Sequence, residues 1–131
     1  MTTAICVSMI RTLAEAMASR PWKVALIKAT AQNRFDASTA NYSSLGPDEV
    51  VGAGYVKGGA LLSNARVEER EGRVCLNFDA YRWRDCDIAC KAALLYTADD
   101  GTAGAVLDFG GVYAASGGHP FYLPFDCPIR L

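Results

Sequence analysis

One histidine, five cysteines and an Asp-Asp-Gly triplet are the residues of this chain with the most obvious chemical potential. His119 lies between Gly118 and Pro120, in the composition of a loop. A catalytic histidine needs a nucleophile and an orienting group within hydrogen-bond reach. Ser116 is near in sequence, but Ser116-Gly117-Gly118-His119 is not a nucleophile elbow, whose serine sits on a sharp strand-to-helix turn. His119 therefore reads as an exposed loop residue, and no catalytic residue is assigned.

The cysteines stand at positions 6, 75, 86, 90 and 127. Cys86-x-x-x-Cys90 has the look of half a zinc site. Zinc takes four ligands, usually as two close pairs, whereas Cys6, Cys75, Cys127 and His119 arrive singly. On a strand, residues 86 and 90 share a face about 13 Å apart, too far for one metal or a disulfide. The pair reads as small apolar filling. The odd count and irregular spacing predict free thiols, made in a reducing cytoplasm. No metal and no cofactor are expected.

Asp99-Asp100-Gly101 lacks the alternating oxygen ligands and distal Glu of a calcium loop, so it predicts a hairpin turn. Gly52 and Gly54, followed by Gly58-Gly59, have the density of a phosphate loop. Such a loop must open a helix, and no helical pattern follows. These four glycines are read as structural, at a bulge or a close backbone approach. Arg82-Trp83-Arg84, between Tyr81 and Asp85, has three readings. It could stack on bases, anchor a protein interface, or be a strand with Trp83 in the core and both arginines in water. A net charge of -1 and the lack of a long Lys/Arg cluster argue against nucleic acid.

The elements that would position these residues follow from pattern. In 131 residues, 51% apolar and 21% charged, there is material for one domain with a real core. Residues 3–19 predict an amphipathic helix. Ile5, Met9, Leu13 and Met17 recur every four residues, with Cys6 and Ile10 alongside. Thr2 or Thr3 would cap its start and Pro21 would close its end. It lacks a basic start, and Arg11 and Glu15 interrupt it, so it reads as mature sequence. No apolar run approaches the roughly 20 residues that span a bilayer.

Beyond Pro21 the signals turn to strands. Trp22–Lys28 suits a buried strand, and residues 29–47 a polar loop with room for a helical turn. Glu49–Gly52 and Tyr55–Lys57 read as strand pieces split by glycines, and Leu61–Arg70 as a further strand. Arg73–Asp79 alternates as a half-buried strand does, joined to its predecessor by a turn at Glu71-Gly72. Tyr81–Trp83, Asp87–Tyr96 and Ala105–Phe109 follow. Then comes a loop bracketed by Gly110-Gly111 and Gly117-Gly118, and edge strands at Phe121–Phe125 and Ile129–Leu131, interrupted by prolines. The expected fold is mainly β: an antiparallel, jelly-roll-like sandwich of about seven to nine short strands over residues 21–131, preceded by the helix of residues 1–20.

Several segments together resemble a family of small bacteriophage virion proteins. They are WKVALIKATA, a polar loop carrying Ser38-Thr39-Ala40-Asn41-Tyr42, EVVGAGYVKGGALL, and AALLYTADDG turning into AVLDFGG. The match is carried by Lys23–Leu26, Glu49–Gly54, Tyr55, Gly58-Gly59, Leu94–Tyr96 and Leu107–Gly110; the cysteines and the Arg-Trp-Arg cluster lie outside it. The resemblance implies a non-enzymatic capsid decoration or cement protein, assembled in the bacterial host cytoplasm and resident in the virion. Its partners would be the major capsid protein or other virion proteins, together with copies of itself as a homo-oligomer. A neck, tail or head-fibre component is the alternative. Ile5, Met9 and Leu13 on the helix and Arg82, Trp83 and Arg84 are the expected interface residues. Independently of that resemblance, a carbohydrate-binding sandwich would stack sugars on Tyr42, Tyr55, Trp83 or Tyr113.

Overall fold

The computed structural model describes residues 4–131. The proposed caps Thr2 and Thr3 lie outside the described residues. Helix α1 is Val7–Ala18, shorter than the predicted span, and begins after Cys6, whose side chain makes no capping bond. At its end the Ser19 N–H donates to the Glu15 carbonyl and the Arg20 N–H to the Met17 carbonyl, each at 3.1 Å.

Seven strands follow in two antiparallel sheets: β1 (Trp22–Lys28), β2 (Ala60–Leu61), β3 (Arg66–Arg70), β4 (Arg73–Asn77), β5 (Tyr81–Thr97), β6 (Ala103–Leu123) and β7 (Ile129–Arg130). One sheet has the order β2-β1-β5-β6 and the other β3-β4-β7. The mainly β fold with one N-terminal helix is the one expected from sequence.

Between the sheets lies the larger core, which includes Trp22, Val24, Leu26, Val74, Leu76, Phe78, Ile88 and Leu95. Helix α1 closes one side of it with Ala14, fully buried, and with the half-buried Ile10 and Met17. The indole Nε1 of Trp22 donates to the Met17 carbonyl at 2.9 Å, which fixes helix to strand. The opposite face of the four-stranded sheet is buried too. Ala25, Ile27, Leu94 and Tyr96 pack there against Leu45, Phe35 and Tyr42 of the polar-looking loop. That loop contains a 3-10 segment at Tyr42–Asp48. With both faces covered, β1 and the second half of β5 read as continuous apolar runs.

Five boundaries differ from the expectation. Glu49–Gly52 and Tyr55–Lys57 are not strands. Their pairing is reduced to two single bridges, Ile27 with Glu49 and Ala53 with Asp87, because positive-φ glycines at 54, 58 and 59 turn the chain repeatedly. Leu61–Arg70 divides into β2 and β3. Arg73–Asp79 does not alternate: Val74 through Phe78 are all buried, since the segment before β7 covers the second face, where Cys127 is disulfide-bonded to Cys75 and hydrogen-bonded to Asn77. Tyr81–Trp83 and Asp87–Tyr96 are one strand, β5, kinked where Asp85 adopts φ 52°. The glycine-bracketed loop is absorbed into β6. Residues 109–112 bulge out opposite Lys91, and residues 116–118 opposite Asp87. Gly110, Gly117 and Gly118 take positive φ there, and pairing resumes between and beyond the bulges.

Two predicted turns are present. Glu71 and Gly72 both take positive φ (53° and 75°), as a two-residue turn of type I′ requires. At the β5–β6 turn, Asp100 accepts from the Thr97 hydroxyl (2.6 Å) and the Thr102 N–H (3.0 Å).

The expectation of five free thiols is corrected. Cys75 and Cys127 form a disulfide with Cα atoms 5.6 Å apart across 52 positions of sequence. Long-range pairing brings them together: β7 lies along β4, with Cys75 opposite Arg130. The Cys127 N–H also donates to Asn77 Oδ1 at 3.1 Å. Cys6, Cys86 and Cys90 are free.

Candidate functional site

Of the four glycines singled out from sequence, Gly52 and Gly54 lie against β5 and Gly59 against β1, and Gly58 contacts a buried carboxylate that sequence reading missed. Glu49 is buried and fully engaged. Its Oε1 accepts from the Tyr42 hydroxyl at 2.5 Å. Its Oε2 accepts from the Tyr55 hydroxyl at 2.5 Å and the Gly58 N–H at 2.7 Å. The Tyr55 hydroxyl accepts in turn from the Leu26 N–H at 3.0 Å, and Tyr96 donates to the Gly58 carbonyl at 2.5 Å. Burial, then the bond to Glu49, raises the ionisation of Tyr42 and Tyr55 far above the phenol range. The network ties the crossover of residues 49–59 to β1 and β5. The glycines let it lie that close: a Cβ on Gly59 would fall on the Val24 carbonyl, and one on Gly54 would stand 2.7 Å from the Arg84 carbonyl oxygen. The available signal was a lone acidic residue opening an apolar run between tyrosines.

No buried side-chain polar atom among the described residues lacks a partner. The arrangement is that of a structural brace, with both oxygens of its carboxylate already bonded within the fold.

The other candidates scatter. His119 lies exposed on β6 opposite Cys86, not in a loop. Cys86 and Cys90 are buried in the inter-sheet core, and burial pushes the Cys90 thiol up to about 12. Trp83 lies in the core with both arginines in water, as the third reading of the Arg-Trp-Arg cluster had it, which corrects its place among the expected interface residues. It is 4% exposed and packs edge-on against Tyr81 and Phe121. Its neighbours Arg82 and Arg84 are exposed, and the Arg82 guanidinium sits 5.5 Å from the centroid of the Tyr122 ring. Of the four rings named for sugar stacking, Tyr55 and Trp83 are buried and Tyr42 stacks on Tyr96 at 4.7 Å. Tyr113 is exposed.

What the structure leaves open to solvent is apolar surface. Ile5, Met9 and Leu13 are 69%, 56% and 56% exposed, because Ile10, Ala14 and Met17 are the side chains that face the core. The edge strand β6 carries exposed Val112, Tyr113 and Tyr122. Beside them a groove of about 380 Å³ is lined by Leu107, Phe109, Tyr113, Phe121, Leu123 and Pro124, with Tyr122. A more polar cleft of about 600 Å³ lies on the other face, where Arg34, Asp36, Lys91 and Asp108 surround Ile27 and Val106.

Charge is concentrated elsewhere. On β3, Glu68 pairs with Arg66 (2.8 Å) and Arg70 (2.9 Å), Arg70 reaches Asp126, and Glu69 pairs with Arg11 of α1. Arg70, then Asn77, holds the Glu68 carboxyl below its usual range. No described helix is long and apolar enough to cross a membrane.

No protein-family model, curated protein or solved structure matches this chain.

Proposed function

We propose that this chain is a non-enzymatic structural protein of a bacteriophage virion, a decoration or cement protein bound to the outside of the capsid shell. The observation that carries the reading is the distribution of surface. One long edge strand with an apolar groove and one exposed apolar helix face stand ready for protein partners, while buried polar groups such as Glu49 are consumed in bracing loops. The segments of the virion-protein resemblance support it by their place. Lys23–Leu26 lies in β1, Leu94–Tyr96 in β5, Leu107–Gly110 in β6, and Glu49–Gly59 forms the braced crossover. These segments build the four-stranded sheet and its free edge. The partners in this reading are the major capsid protein and further copies of the chain. A protein that binds only the assembled shell stabilises it by mass action.

The test is the copy number in purified source virions, by quantitative mass spectrometry against the major capsid protein. A simple ratio to that protein is expected. A handful of copies per particle would move the protein to the neck, tail or fibres, and absence from the particles would overturn the reading.

A further inference from the structure

We propose that the polar cleft between the 31–37 loop and the strands β5 and β6 binds a uronic acid unit of an acidic oligosaccharide, its carboxylate held by Lys91 and Arg34. This does not rest on the virion reading. None of Tyr42, Tyr55, Trp83 and Tyr113 lines this cleft.

A bulge in β5 aims Lys91 into it. Cys90 faces the inter-sheet core, whereas Lys91 and Ala92 both line the cleft. β1 pairs Lys28 with Cys90 and Ile27 with Ala92, and β6 pairs Tyr113 with Cys90 and Asp108 with Ala92. Lys91 is left out of both ladders, and a bulge re-aims the side chain it carries. Lys91 is half-buried, and its ammonium donates to the Ala31 carbonyl at 3.1 Å. That bond fixes its place and leaves two of its three N–H groups free. Arg34 lines the same cleft, and among the described residues neither cation is in an ion pair. Two unpaired cations around one concavity suit an anionic group that accepts hydrogen bonds from both.

The rest of the lining selects the anion. Asp36 and Asp108 offset Arg34 and Lys91, so the charged side chains of the cleft sum to zero. That balance disfavours a phosphate dianion and suits a single negative charge. Each carboxylate has one oxygen engaged. Asp36 Oδ1 accepts from the Ser38 N–H (2.9 Å) and hydroxyl (2.6 Å), and Asp108 Oδ1 from the Gly110 N–H (2.9 Å). The other oxygen of each is left to accept from a hydroxyl. Ile27, Ala92, Val106 and the half-buried Phe35 supply apolar surface for the C–H face of a sugar ring. One carboxylate, several hydroxyls and one apolar face are the groups of a hexuronate. The cleft, at about 600 Å³, has the size of a small-molecule site. Its rim is set in advance. The Asn33 N–H and Nδ2 both donate to the buried Asp48, at 3.4 and 2.9 Å, so little loop ordering is left to oppose binding.

The experiment is a titration of the full, isotope-labelled chain, followed by amide-correlation NMR. The probes are short oligosaccharides of galacturonate, of mannuronate, and of glucuronate alternating with N-acetylglucosamine. At least one of them should give saturable shifts confined to residues 31–37, 91–92 and 104–108, with none from neutral galactose oligomers or inorganic phosphate. Lys91→Met keeps the apolar stem and removes the charge. Arg34→Gln removes the other charge at an exposed position, where folding is not at stake. Each should weaken binding about tenfold, with circular dichroism unchanged. The proposal is overturned if no uronate gives a saturable shift, if the neutral oligomers or phosphate bind as well, or if both variants keep full affinity.

Discussion

The four-stranded sheet has strands of 2, 7, 17 and 21 residues, while the three-stranded sheet has two strands of 5 and one of 2. β1 and the second half of β5 bury apolar side chains on both faces, between the sheets and beneath the 29–48 loop. In the small sheet only the central strand β4 is buried along most of its length, and cross-links add to its packing. A disulfide joins β4 to the segment before β7, ion pairs run along β3, and α1 is tied on through Arg11. The contrast teaches that one small domain can hold two sheets by different means, by packing on both faces where strands are long and by one packed central strand reinforced with covalent and charged links where they are short. It also leaves different edges. β3 ends the small sheet in the charged sequence RVEER, which discourages pairing, whereas β6 ends the large one with Asp108 as its only carboxylate.

The comparison can be broken first at the large sheet's packing. Leu26→Ala removes a fully buried side chain. It should cost about 4 kcal/mol, read as the shift in urea midpoint at unchanged slope. An equal loss from Val112→Ala, an exposed position on the same sheet, would deny that burial is what holds it. The second break is at the small sheet's staple. A Cys75→Ala/Cys127→Ala variant should lose about 3 kcal/mol, and limited proteolysis should then cut the C-terminal segment before the β5–β6 hairpin. Indifference of melting temperature to the variant would mean that the packing of β4 holds the small sheet without the cross-link.

Third, Glu49→Gln should cost about 2 kcal/mol, because an amide N–H₂ cannot accept where a carboxylate oxygen did and a buried donor loses its partner. Hydrogen exchange should show the loss concentrated in residues 49–59; a uniform loss across both sheets would make Glu49 part of a global core instead of a local brace. The smallest effect comes from the surface charges. Hydrogen bonds and ion pairs hold the carboxyl of Glu68 (Arg70 first) and that of Asp100 (Thr97 first) below the ordinary range. Their contribution is present at neutral pH and is lost as pH falls through about 4 and below. Melting temperature should decline over that window, and less so in high salt for the ion-paired Glu68. A rise in melting temperature on acidification would contradict the role given to these links.

Much of the architecture was legible because it rests on local signals. Trp22–Lys28 announced β1 by its unbroken apolar run, and Glu71-Gly72 and Asp99-Asp100-Gly101 announced hairpins by residues that tolerate positive φ. The misread places are those where local cues conflict with distant partners. Gly110-Gly111 and Gly117-Gly118 have loop chemistry, yet β5 runs past them and draws the chain back into pairing on either side. Arg73–Asp79 has the period of a half-buried strand, but the C-terminal residues return to cover its polar side. Met9 and Leu13 belong to the helix's apolar stripe, and only the docking angle of α1 decides that Ile10, Ala14 and Met17 face inward.

By itself, then, the sequence determined the class of fold, the N-terminal helix, the main turns and the positions where only glycine fits, since these depend on backbone sterics and on apolar periodicity within a few residues. The tertiary structure alone decided the Cys75–Cys127 bond, the enclosure of Glu49 by Tyr42, Tyr55 and Gly58, and which apolar faces remain open. Each of those joins residues far apart along the chain or depends on which face meets the core, and neither is set until the strands have paired.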